Sequence, residues 1–185
     1  MFKINRQISF LSVLIILGAC SNSKSKNKYP AIDVIGYIKG QVKILDSVPY
    51  GILKVTERTG QKPDSTYLDK KTFIQHVSPF LHTSIDKERL ETDYTETSFA
   101  DASLGYAVIT YQAIDGKAPI QQVTIYVRPD NGSINQVYIT GYINPKNELE
   151  KNQLLWMHNK GCTIITIQEN NTKESSSITE KIIWQ

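Results

Sequence analysis

From Ala31 the apolar residues return at Val34, Ile35, Ile38, Val42 and Leu45, a single stripe at helical period, while Asp33, Lys39, Lys43 and Asp46 fall off it. The spacing predicts a helix whose first turn Pro30 pre-sets, whose dipole Asp33 complements, and which ends before Pro49. Gly36 and Gly40 lie on its polar side, where glycines are tolerated. "YGILKVTER" reads as a strand and Thr59 to Ser65 as a turn-rich loop. A second helix follows, with Asp69 as N-cap and Phe73, Ile74, Val77, Phe80 and Leu81 on one face. Pro79 falls inside that pattern and deprives Gln75 of a donor, which predicts a kink or an end near Ser78. "SIDKERLETDY" adds a short third helix around Leu90.

After Tyr94 the period changes from helical to alternating. "TETSFAD", "YAVITYQ", "IQQVTIYVR", "INQVYITGYI", "NQLLWMH", "CTIITIQ" and "ITEKIIWQ" are rich in β-branched and aromatic residues, and short turn-forming loops separate them. Loops of that length join antiparallel neighbours. The fold class expected is α+β, with the N-terminal helices packed on one face of a largely antiparallel sheet of about six to eight strands. In the last strands both parities are apolar. Leu154 and Trp156 are backed by Leu155 and Met157, Ile164 by Ile165, and Ile182 and Trp184 by Ile183. That pattern predicts a sheet covered on both sides, by the helices on one and by the chain itself, a partner or an apolar ligand on the other.

The first thirty residues follow neither period. Lys3 and Arg6 precede an apolar run from Ile8 to Leu17, ten residues long. A bilayer-spanning helix needs about 20. The run closes on Leu17-Gly18-Ala19-Cys20. This segment resembles the lipobox of bacterial lipoprotein precursors, a Leu, two small residues and a Cys. The resemblance implies cleavage before Cys20 and a diacylglyceryl and palmitate-type anchor on that cysteine. It also implies an envelope location, with Ser21 favouring the outer membrane and the lack of an acidic cluster in the tether favouring a periplasm-facing domain. Ser21 to Tyr29 is a polar, lysine-bearing tether without apolar periodicity. The chain therefore divides into a signal peptide (1–19), an anchored cysteine and tether (20–30), and one α+β domain (31–185).

Removing Lys3 and Arg6 from a formal charge of +3 leaves +1 on the mature chain. With no Lys/Arg run beyond the tether, the charge gives no case for a nucleic-acid partner. The partners expected are the membrane, through Cys20, and an envelope protein.

Candidate chemistry is sparse. With Cys20 assigned to lipid, Cys162 has no partner for a disulfide and is expected to be buried in its strand. His158 and Cys162 flank "NKG" (Asn159 to Gly161), and a three-residue turn there sets the two side chains opposite each other. Such a pair is either a thiolate nucleophile with its base or a plain cross-strand pair. No oxyanion donors or third orienting residue are indicated, so the plain pair is the expectation. His76 and His82 stand six apart and off the apolar stripe, which does not suit a helix-borne metal site; solvated histidines are expected, with no metal and no cofactor. Within "TETSFADAS", Glu96, Ser98, Asp101 and Ser103 surround Phe99 without the spacing of a calcium loop, as on a solvated strand edge.

Trp156, Trp184, Phe99 and Asp101 are the candidate ligand or partner surface. "YIKGQVKILDSVPYGILKV", "TSFADASLGY" and "LLWMHNKGCTIITI" resemble small Bacteroidota lipoproteins without an assigned activity, so no functional residue is carried over. The expectation is a non-enzymatic, membrane-anchored binding or scaffolding domain. A carrier of a small apolar ligand or an inhibitor of an envelope enzyme is second, and a Cys162/His158 hydrolase third.

Overall fold

The structure is a computed structural model and describes residues 31–83, 85–142, 150–169 and 175–184. The cleavage site, Cys20 and the tether lie outside the described residues. Helix α1 (Val34–Ser47) buries all the stripe positions of the sequence, Ala31 just before it and Val34, Ile35, Ile38, Val42 and Leu45 within it. Fully burying a side chain of this kind contributes roughly 1.5–3 kcal/mol. Asp33 is the N-cap, its carboxylate accepting from the Gly36 amide at 2.8 Å.

Strands β1 (Ile52–Arg58) and β2 (Asp64–Leu68) form a hairpin. Helix α2 (Lys70–Leu81) is capped by Asp69, which accepts from the Thr72 amide at 2.7 Å. It runs through Pro79 to Leu81, so the expected end at Ser78 is corrected. Pro79 and Gln75 both lie on the exposed side, where solvent reaches the carbonyl left without its donor. Helix α3 (Lys87–Thr92) buries Leu90 and is capped by Asp86.

Seven strands follow: β3 (Tyr94–Asp101), β4 (Tyr106–Ala113), β5 (Ile120–Val127), β6 (Ile134–Gly141), β7 (Glu150–Met157), β8 (Gly161–Glu169) and β9 (Ser175–Trp184). They form an antiparallel meander, and β1 joins it beside β9, giving one sheet in the order β2-β1-β9-β8-β7-β6-β5-β4-β3. The fold is α+β, with nine strands rather than six to eight. The additional strand is β2, whose short polar "DSTYL" pairs on one side only and carries no apolar alternation. Because β2 and β3 are the two edges of the sheet, the α2–α3 segment between them links one edge to the other.

Cross-strand partners in an antiparallel ladder project to the same side, and successive residues alternate. One side holds the core. Ile125, Val137, Trp156, Cys162 and Ile182 form one buried row across β5 to β9. Tyr111, Val123, Ile139, Leu154 and Ile164 form the next, across β4 to β8. Phe73 of α2 meets Trp184 of β9 edge-on, with centroids 5.7 Å apart, and His76 meets Glu180; both strand positions belong to this buried set.

The opposite side differs from the expected second cover. Leu155, Met157 and Ile165 are half-buried there, and Ile183 is 39% exposed. Tyr138, Thr163 and Lys181 share the row of Leu155, and Gln153 and Thr179 share that of Ile165.

Candidate functional site

The β7–β8 hairpin sets the candidate residues. Its ladder pairs Met157 with Gly161 and Trp156 with Cys162, so the three-residue turn is His158-Asn159-Lys160, one position earlier than "NKG". Two residues fix that register. Asn159 takes the left-handed conformation (φ 54°), which a short polar side chain tolerates. Gly161 lies in the strand, where an added Cβ would run into the Ile182 carbonyl oxygen of β9. The glycine thus serves the β8–β9 approach, while asparagine makes the turn.

The slip separates the proposed pair. Cys162 faces the core opposite Trp156, and burial, with a further push from the Glu180 carboxylate, raises its thiol far above the ordinary range. His158 is in the turn, with its Nδ1 2.7 Å from the Tyr37 hydroxyl of α1. The Tyr37 oxygen is also 3.4 Å from the Ile134 carbonyl, and the Tyr37 and His158 rings stack with centroids 6.0 Å apart. Burial pushes the Tyr37 phenol up to about 12, so it keeps its proton beyond the pH at which a free phenol ionises. The hairpin is thus fastened to α1, with no thiolate–imidazole pair formed.

The four surface candidates do not make one surface. Trp156 and Trp184 lie in the core with ring centroids 5.3 Å apart, and the Trp156 Nε1 has no hydrogen-bond partner among the described residues. Phe99 is 58% exposed on β3, four strands from β7 and on the opposite side of the sheet. Asp101 ends β3 and closes the following turn. It accepts from the Ser103 hydroxyl at 2.6 Å, the Ser103 amide at 2.9 Å and the Leu104 amide at 3.1 Å, and these bonds, the hydroxyl's foremost, hold its carboxyl below the usual range.

The structure brings together groups that the sequence reading passed over. Glu180 accepts from Lys54 Nζ at 2.9 Å and lies 3.3 Å from His76 Nδ1, all three largely withdrawn from solvent. A signal was present, because Glu180 and Lys54 occupy the parity of Ile182 and Ile52, where a charge needs a partner. His76 is accordingly paired rather than fully solvated. His82, by contrast, is exposed and bonded to Ser78. Among the described residues no group of His, Cys, Asp and Glu is arranged to hold a metal ion.

Two recesses adjoin these elements. One of about 300 Å³ is lined by Gln41, Ile44, Tyr50, His158, Asn159 and Trp184. The other, about 470 Å³, has a floor of Ile85, Tyr94 and Ile120 and a rim that includes Arg89, Asp93 and Lys117. The rim is already internally neutralised in part, since Arg89 bonds Asp93 at 3.1 Å.

The side of the sheet opposite the core carries two rows that run across it from edge strand β3. One row across it runs Thr97, Thr110, Thr124, Tyr138, Leu155 and Thr163, and continues to Lys181 and Val55. Another carries Phe99, Tyr126, Met157, Ile183 and the 77% exposed Tyr67. Hydroxyls, aromatics and aliphatics alternate there, and the Thr110 and Thr124 hydroxyls lie 3.2 Å apart.

No family model, curated protein or solved structure matches the chain. The functional reading therefore rests on the sequence and on this geometry. Among the described residues no helix is long and apolar enough to cross a membrane.

Proposed function

We propose that the chain is a lipid-anchored envelope protein that acts by binding a protein partner through the side of its sheet opposite the core. In this reading α1 and α2 form a layer over the buried side, as the Phe73–Trp184 and His76–Glu180 contacts suggest, and leave the other side free. The observation that carries the proposal is the Thr97-to-Val55 row, mixed in polarity and nearly free of charge until Lys181. Protein interfaces combine apolar and neutral polar groups in this way and exclude charge from their centres. Anchoring at Cys20 holds this face near the membrane, where an envelope partner is concentrated.

Leu155→Glu puts an unpaired charge in the middle of the face without touching the core. The lipidated protein carrying it should fold with an unchanged melting temperature and lose the partner that co-purifies from detergent-solubilised envelopes. Full retention of that partner would contradict the proposal.

A second reading has its own observation. The 470 Å³ recess, with its apolar floor, is large enough for a small ligand, as a carrier requires. Native mass spectrometry of protein from its own host would then show a bound apolar molecule, and an apo mass would count against it.

A further inference from the structure

We infer that β3 pairs with β3 of a second copy of this chain, joining the two sheets edge to edge about a twofold axis. Strand β3 is eight residues long, and every residue from Thr95 to Ala100 is exposed. It pairs with β4 on one side, and among the described residues no strand lies on its other side.

The direction of its free backbone groups follows from the ladder. Ile114 N donates to the Asp93 carbonyl at 2.9 Å, and that pair continues the register of Tyr94 with Ala113. Odd-numbered residues of β3 therefore bond to β4, and Tyr94, Glu96, Ser98 and Ala100 turn their amides and carbonyls outward. Groups of that kind are complemented by an extended backbone.

The two sheet edges are protected differently. Strand β2 is only five residues long, begins at the charged Asp64 and directly follows Pro63. Strand β3 has no proline, no lysine and no bulge, three of the devices that keep an exposed edge from pairing. Its one mid-strand charge is Glu96.

The sequence of β3 suits pairing with itself. With Thr97 opposite Thr97 of the second copy, Glu96 stands opposite Ser98, Thr95 opposite Phe99, and Tyr94 opposite Ala100; like charges meet only at the two ends, where Asp101 falls opposite an Asp93 that Arg89 already pairs. The outward-facing residues then exchange about eight hydrogen bonds, two for each of their pairs. The twofold axis runs perpendicular to the sheet, which keeps both helical sides on one side of the dimer. Ala31 N donates to Glu91 of α3, at 3.1 Å, just before β3 begins. Both chains thus enter their domains near the junction and from the same side, as two anchors in one membrane require. That last point alone rests on the anchored reading.

The test uses the full lipidated chain in detergent. Sedimentation should give a dimer mass, and Thr97→Cys should form an intermolecular disulfide under mild oxidation while Tyr67→Cys on the other edge does not. Thr97→Lys, which sets two like charges opposite each other, should halve the mass with the melting temperature kept. Ser98→Pro, which removes an outward amide, should do the same. A monomer at every concentration, a dimer that survives Thr97→Lys in folded protein, or equal cross-linking at Tyr67 would each overturn the pairing. Intact mass of the same sample reports lipid at Cys20 separately, so the two ideas fail independently.

Discussion

Trp156 stands directly across the β7–β8 ladder from Cys162, and neither side chain reaches solvent. A thiol in that position stays protonated and inaccessible, because burial disfavours the thiolate and Glu180 adds to the effect. Native protein treated with a mild thiol reagent should carry no label at Cys162 and should label fully after denaturation. Rapid labelling in the folded state would contradict the placement.

The turn one residue before Gly161 makes a prediction of its own. Gly161→Ala forces a Cβ against the Ile182 carbonyl, and overpacking of this kind costs typically about 1–3 kcal/mol. Asn159→Ala loses a side chain suited to positive φ and should cost about 1–2 kcal/mol. Chemical denaturation of the two variants separates the accounts. Were the glycine the turn residue, Asn159→Ala would be nearly neutral.

Alkaline stability follows from two tyrosines. Burial raises the phenols of Tyr37 and Tyr111 to about 12 each, from an ordinary 10.0, and nearby Glu96 adds to the rise at Tyr111. Between those values the unfolded chain has lost the protons that the folded chain still holds, so ionisation favours unfolding as pH rises. Their contribution to stability is complete below about pH 10 and is lost progressively toward pH 12. Melting temperatures taken across that window should fall, and a Tyr37→Phe, Tyr111→Phe variant should show a shallower fall. An identical slope would remove both residues from the explanation.

Much of the fold was legible where a single period ran long enough. Every stripe position that predicts α1 is buried, and each of the seven strand segments after Tyr94 is a strand. Asp69 caps α2 as the sequence indicates. Strand β2 escaped because an edge strand needs only one backbone partner and places little demand on side chains. The hairpin register escaped for a different reason. A glycine beside a turn usually marks the turn, but Gly161 answers to the backbone of the next strand, β9. The double apolar parity of β7 to β9 implies two covers. The second set, Leu155, Met157 and Ile165, is instead only half-buried, on the side opposite the core. The candidate surface divided accordingly, with both tryptophans in the core and Phe99 on the open side.

The account stands or falls on that open side meeting a specific protein. A photo-activated cross-linker placed at Tyr138, in the centre of the Thr97-to-Val55 row, can be compared in intact cells with one at Lys39 on the exposed face of α1. The prediction is a single reproducible adduct from Tyr138 that is absent from Lys39 and lost in Leu155→Glu protein. Equal, diffuse cross-linking from both positions, or none from Tyr138, would contradict it.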